Sequence, residues 1–300
     1  MGNYTPKIMI RNTNFISIII CSREKQISKN LTENIKNSIG CDYELIVIDN
    51  SENKYSIFEA YNLGIEKSMG EYLCFIHDDI FIHTNGWGSV LQCIFNENKE
   101  VGLIGVAGSK IKTKMPSVWW LCPKKDKIVN IIQHLPNGDI EKWELGFDDC
   151  SNTEVVVIDG VFMAMRKDKC ICFSNEMKGY HNYDLNISLE YKKNGYKIMV
   201  TNKILLEHFS KGTLNKSWYE STSLFHKLYK NYLPIDINGE YKNGQLKKAE
   251  FKLGTSFITK LIEHKLYSDA IYWWFEIFKL KPIEKYHYRF WKMILKNMLC

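Results

Sequence analysis

The stretch Gly70-Glu71-Tyr72-Leu73-Cys74-Phe75-Ile76-His77-Asp78-Asp79 decides the fold. Its apolar run, residues 72–76, predicts a short strand buried on both faces, as in parallel sheets. Acids follow the strand directly. A carboxylate at the carboxyl end of such a strand points into the crevice where open α/β sheets bind ligands. Crowded acids repel one another unless a positive charge lies between them. A divalent cation bridging to a phosphate supplies that charge, because hard cations prefer oxygen ligands. The plain alternative is a strand end capped by solvated acids.

Upstream, Phe15–Ser22 is β-branched and nearly all apolar, and predicts a first strand after a loose lead-in of 14 residues. Ile27, Leu31 and Ile35 recur at helical spacing, and Tyr43–Asp49 predicts a second strand. Phe58, Tyr61, Ile65 and Met69 mark a helix with Gly70 as its C′ residue. This alternation argues for a mostly parallel, Rossmann-like α/β sheet covered by helices. Downstream, a helix is expected from Trp87 to Asn98 and a strand from Val101 to Val106. Residues 107–153 read as an excursion of short strands or loops. Strands resume over Glu154–Ile158 and Val161–Arg166, followed by a helix over Tyr183–Lys193. Late strands are expected at Tyr196–Val200 and Ile204–Leu206, with His208 after the last. The division expected is a catalytic domain over residues 1–214 and a helical extension over 215–300. That extension contains helices at Trp218–Tyr232, Ala270–Leu280 and Tyr286–Leu299.

Composition narrows the class. Hydrophobic residues make up 45% and charged residues 25%, which excludes a disordered chain. The net charge of +6 suits a polyanionic ligand or an acidic membrane surface without demanding nucleic acid. Nine Cys residues without a C-x-x-C pair fit free thiols in a reducing cytosol. No signal pattern and no membrane-spanning run is seen, so a cytoplasmic location is expected, with any membrane contact peripheral. In the last helix Tyr286, Phe290, Ile294 and Leu295 fall near one face, with Lys285, Arg289, Lys292 and Lys296 interleaved. Such a helix can lie on an anionic membrane at its inner face, or pack on protein.

Four strand-end features converge in this topology: Asp49, His77-Asp78-Asp79, Asp159-Gly160, and the Asp184/His208 pair. Together with Ala60-Tyr61-Asn62-Leu63-Gly64-Ile65 and the Gly70–Asp79 stretch, they resemble the family 2 glycosyltransferases of GT-A fold, over roughly residues 15–212. His77 takes the first acidic position of the family's D-x-D motif and Asp79 the last, as in a bacterial subgroup with H-x-D. Val157-Ile158-Asp159-Gly160-Val161-Phe162-Met163-Ala164 is similar to the turn shaping the sugar pocket. Gly179-Tyr180-His181-Asn182-Tyr183-Asp184 is similar to the segment carrying the catalytic acid. Glu207-His208-Phe209-Ser210-Lys211-Gly212 is similar to the family's late-histidine segment.

The resemblance implies sugar transfer from a nucleotide diphosphate donor, a UDP-sugar by preference, to a glycan or lipid-linked acceptor hydroxyl, with inversion, in bacterial surface polysaccharide synthesis. Asp79, His77 and His208 would hold Mn²⁺ or Mg²⁺, a Lewis acid for the departing diphosphate. Asp184 would be the general base, worth about 10²–10⁴-fold; its alternative use is as a helix N-cap. Ser22, Arg23, Asp49 and Asp78 would meet the nucleotide. Asp159, Gly160, His181, Trp119 and Trp120 would line the sugar and acceptor site. Two other classes stand beside this one: a non-catalytic nucleotide-sugar or glycan-binding module, and a metal-dependent phosphohydrolase. Phosphohydrolases with a His-Asp pair are all-helical, whereas this pair follows a β-rich run. A homo-oligomer is compatible with the sequence.

Overall fold

The structure is a computed structural model and describes residues 15–148, 151–210 and 212–298. The expected lead-in, Lys211 and Leu299 lie outside the described residues. The chain opens β1 (Ile16–Ser22), α1 (Lys29–Ser38), β2 (Tyr43–Asp49), α2 (Ile57–Lys67), β3 (Tyr72–Ile76) and β4 (Ile80–Ile82). It continues with α3 (Trp87–Glu97), β5 (Val101–Gly105), β6 (Ala107–Ser109), β7 (Ile111–Lys112), β8 (Lys127–His134) and β9 (Ile140–Leu145). Then come β10 (Asn152–Val155), β11 (Val157–Ile158), β12 (Phe162–Arg166), α4 (Tyr183–Lys193), β13 (Lys197–Thr201) and β14 (Leu206–His208). The chain closes with α5 (Lys216–Leu228), β15 (Ile235–Asp236), α6 (Asn243–Glu263), α7 (Tyr267–Leu280) and α8 (Tyr286–Met298).

Among the described residues, seven strands form the central sheet in the order β10-β13-β5-β12-β3-β1-β2. Strands β2, β1 and β3 pair parallel, as do β5 and β13, while β12 runs antiparallel between β3 and β5. The mostly parallel α/β sheet expected from the sequence is therefore present, with β12 and the edge strand β10 reversed. Ile18, Ile19, Cys74 and Phe75 are wholly buried on both faces, which is why these strands are apolar runs rather than alternating ones. Local signals start the helices. Ser28 accepts from the Leu31 N–H at 3.2 Å to open α1, and Ser56 and Glu59 form a reciprocal capping box on α2.

A second sheet, β11-β6-β8-β14-β4 with β9 on β8, is built largely from the excursion. It carries His208 inside β14 rather than after it, because the late strand lies over residues 206–208 and not 204–206. Gly70 is not a C′ residue: α2 ends at Lys67 on an extended Ser68 cap. A Cβ at Gly70 would meet the Phe15 carbonyl and the Ser17 hydroxyl at 2.7 Å, so close backbone approach explains the glycine. The helix at α5 stops at Leu228 rather than Tyr232, and α6 has no counterpart in the sequence reading.

The main core includes Phe225, Tyr229 and Leu233 beyond the expected domain division. A second cluster joins Met115 and Tyr219 to α6, α7 and α8. Trp273 donates to Ser223 at 2.8 Å, and Glu250 of α6 accepts from the Lys114 and Met115 N–H groups at 2.7 and 2.6 Å. The helical extension is thus fastened to the excursion. Phe290 and Ile294 are buried in this cluster. The apolar face read from Tyr286, Phe290, Ile294 and Leu295 is therefore mainly a protein-packing face, and Leu295 points outward, 58% exposed.

Candidate active site

Three elements bring together three side chains that could hold a metal ion. β3 ends at Ile76 and releases His77 and Asp79, β4 pairs antiparallel with β14, and that pairing sets His208 opposite Ile80. His77 Nδ1 lies 3.4 Å from His208 Nε2. Asp79 Oδ1 lies 3.8 Å from the first and 3.6 Å from the second. A point equidistant from these three atoms is about 2.1 Å from each, the length of a first-row metal bond to nitrogen or oxygen. The donor set and its spacing fit a divalent ion.

Hydrogen bonds orient the imidazoles for this. The Gln133 amide nitrogen donates to the carbonyls of His134, Ser210 and His208 at 2.9, 2.8 and 3.3 Å. Its oxygen is thereby fixed toward His208 Nδ1, 3.1 Å away. Nδ1 then carries the proton, and the lone pair of Nε2 faces Asp79. His77 Nε2 meets the Tyr183 hydroxyl at 2.6 Å. Burial and the nearby His208 lower the His77 pKa, keeping it neutral, as a ligand must be. Burial alone would raise the Asp79 carboxyl, but the adjoining His208 and His77 rings and a bond from Ser210 hold it at about 2.

Tyr183 reaches His77 because Gly160 has no side chain: a Cβ there would lie 2.3 Å from the phenol oxygen. Asp159 accepts from Trp119 Nε1 at 2.8 Å and from the Val161 N–H at 2.9 Å. Asp184 is in the first turn of α4, whose cap is Asn182, so the N-cap reading of Asp184 is corrected. Its Oδ1 accepts from the Leu185 N–H at 2.8 Å. Burial, then repulsion from Asp159, pushes its carboxyl up to about 7, against the opposing pull of Lys112. A carboxyl poised near neutrality is suited to proton transfer.

Asp78 turns to Arg23, accepting from its guanidinium at 2.9 Å, and the same guanidinium lies 3.9 Å from Asp79. Ser22 is buried and accepts from the Glu24 N–H at 3.1 Å. Asp49 is exposed at the end of β2 and accepts from the Ser51 N–H at 3.0 Å. His181 faces α5, with Nε2 3.2 Å from the Ser217 hydroxyl. Trp119 and Trp120 meet edge to face and line a cavity of about 380 Å³ that also touches Asp159 and His208. Asp78 and Asp79 border a separate, more open groove of about 580 Å³ beside α1.

Two supporting residues escaped the sequence reading. Tyr183 is hidden beside the more conspicuous Asp184. Gln133 sits in the excursion, where only the alternation Lys127, Val129, Ile131, Gln133 marks one strand face.

Imidazoles and acids at the strand ends of such a sheet define a ligand-binding crevice of the doubly wound α/β class. A family model described as a glycosyltransferase-like family matches residues 17–234. The chain belongs to that glycosyltransferase-like family, and its mixed α/β sheet is flanked by helices. Two solved structures are similar at low identity. A197 from STIV is 12% identical, covering 65% of this chain and 86% of its own, with a TM-score of 0.38. GalNAc-T7, crystallised with UDP, GalNAc and Mn²⁺, is 9% identical with a TM-score of 0.49, over 80% of this chain and 55% of its own. The chain thus spans about half of that second structure. None of the curated proteins matches the chain.

Proposed function

We propose that the protein is an inverting, metal-dependent transferase that moves a sugar from a UDP-sugar to a hydroxyl of a glycan or lipid-linked glycan. The observation that carries this reading is the common 2.1 Å point between His77 Nδ1, His208 Nε2 and Asp79 Oδ1. Two imidazoles and one carboxylate favour Mn²⁺ over Mg²⁺, which prefers all-oxygen shells. When bound, the ion would supply Lewis-acid stabilisation of the leaving diphosphate.

The remaining work belongs to side chains. Asp184 accepts the proton of the attacking hydroxyl, and a single displacement by one base inverts the anomeric centre. Asp159 keeps lone pairs for sugar hydroxyls while Trp119 holds it in place. Arg23, aligned by Asp78, presents a cation at the donor side. Asp49 and Ser22 stay with the nucleotide end, and His181 with the acceptor end.

We place the reaction at the inner face of a bacterial membrane, in surface polysaccharide synthesis. Among the described residues no helix is long and apolar enough to cross a bilayer. The support for a peripheral contact is α8. Tyr288, Trp291 and Leu295 are 76%, 41% and 58% exposed and follow one helical stripe. Lys285, Arg289, Lys292 and Lys296 form the stripe beside it, and Ile283 at the turn before α8 is 93% exposed. An apolar ridge flanked by cations suits an anionic lipid surface.

The test is release of UDP from a panel of UDP-sugars with and without Mn²⁺. Turnover is expected, and is expected to vanish in Asp79→Ala and Asp184→Ala. Tight UDP binding without turnover on any donor and acceptor would favour the non-catalytic binding module.

A further inference from the structure

The cavity beside the metal-ligating group has an uneven wall. Residues Lys127, Val129, Ile131 and Gln133 share one face of β8, since side chains alternate along a strand. The β9 register sets Leu145 opposite Val129 and Trp143 opposite Ile131. At the Gln133 end lies His208, while Asp159 lines the same cavity from beside Ala107, which pairs with Val129. Moving away from the Gln133 end, the wall becomes Ile131 with Trp143 and then Val129 with Leu145, over about 13 Å at 3.3 Å per residue. All four line the cavity, as do Trp119 and Trp120.

The polar groups of Gln133 and Trp119 along this wall are already engaged. The Gln133 amide is committed to three carbonyls and to His208. The Trp119 N–H is committed to Asp159. His208 marks the reacting end, Asp159 can still accept from a hydroxyl, and Lys127 stands at the far end of the strand. Between them the occupant meets carbon. A hydroxyl-rich ring laid there would lose water without gaining partners, which is costly. Beyond the His208 end the apolar wall and the Asp159 charge are unsuited to a nucleotide diphosphate, and Arg23 lies on the Asp78 side. The volume of about 380 Å³ is at the small end of ligand pockets.

We infer that this cavity takes an acceptor with a split character: a sugar hydroxyl presented to Asp159, carrying an apolar aryl or alkyl aglycone that lies against Ile131, Val129, Trp143 and Leu145. The inference rests on the transferase reading above for which end reacts.

The experiment compares methyl and phenyl glycosides of glucose, galactose, mannose and N-acetylglucosamine, with UDP and Mn²⁺ present, by ligand-observed NMR titration. Phenyl glycosides are expected to bind about tenfold or more tightly than the matching methyl glycosides. Ile131→Trp, which fills the cavity, and Leu145→Asn, at a half-buried position, are each expected to cut that ratio below about twofold while thermal melting reports an intact fold. Equal affinity of the two series, no binding by either, or an unchanged ratio in the folded variants would overturn the inference. A phenyl preference that persists although no donor releases UDP would instead overturn the transferase reading and leave the apolar site standing.

Discussion

Gly160 and Tyr183 are interlocked: the phenol occupies the space that a Cβ on the glycine would fill, 2.3 Å from its oxygen. That phenol is the partner of His77 Nε2 at 2.6 Å. The glycine of the Asp159-Gly160 turn therefore acts on a histidine far away in sequence. Gly160→Ala is expected to displace the ring and weaken Mn²⁺ binding about 10–100-fold, as loss of a ligand's supporting partner does. Tyr183→Phe removes the hydroxyl without strain and is expected to fall in the same range. Isothermal titration with Mn²⁺ checks both; unchanged affinity in Tyr183→Phe would separate the phenol from the site.

Gln133 gives the second prediction. Gln133→Leu frees His208 Nδ1 to choose its tautomer, and a drop of about 10–100-fold in Mn²⁺ affinity is expected. Gln133→Glu keeps an acceptor but sets a carboxylate oxygen against the three carbonyls, and is expected to lose affinity as well. Manganese electron paramagnetic resonance reads free against bound ion directly.

The third prediction concerns pH. Burial and the neighbouring Asp159 push the Asp184 carboxyl up to about 7, from an ordinary value of 3.8. The rate of transfer is expected to rise with pH through a midpoint near 7, as the carboxylate form accumulates. Asp184→Asn should abolish that limb. Stability moves the other way. Between the two pKa values the native state holds a proton that the unfolded chain has lost, so this group's contribution falls as pH rises from about 4 to 7. Asp184→Asn is thus expected to be more stable than the parent above pH 7, by roughly 1–3 kcal/mol, with the gap closing toward pH 4. Urea denaturation at both pH values measures it.

The fourth prediction tests the exposed ridge of α8. Vesicles of phosphatidylcholine with about one third phosphatidylglycerol should co-sediment the protein, and raised salt should release it. Trp291→Glu with Tyr288→Glu should abolish the binding. Equal sedimentation of parent and double variant would remove α8 as the contact.

Much of the scaffold was legible because it is locally written. The runs at Ile16–Ser22, Tyr43–Asp49 and Tyr72–Ile76 are mostly apolar and β-branched or aromatic, and such runs have few alternatives to strands. The boundaries of α4 matched because Asn194-Gly195 ends it plainly. The excursion hid its second sheet, since β8 is defined by pairing with β6, β14 and β9, and β9 by pairing with β8, rather than by propensity. His208 was found as a residue but misplaced relative to its strand by that pairing. Asp79, His77 and His208 could be nominated from sequence, but their mutual distances depend on β4 pairing with β14, which no local pattern encodes. Tyr183, Gln133 and the apolar wall at Ile131 lacked any chemical signature of their own. The sequence left the Tyr286, Phe290 and Ile294 face of α8 open between lipid and protein, and the second core shows it packed on protein.

The most direct measurement is a crystal structure with UDP and Mn²⁺, with the ion located by anomalous scattering. The account predicts one manganese peak bonded to His77 Nδ1, His208 Nε2 and Asp79 Oδ1 and to the diphosphate oxygens. A diphosphate bound in the crevice with no ion at those three atoms, or an ion held elsewhere, would contradict it.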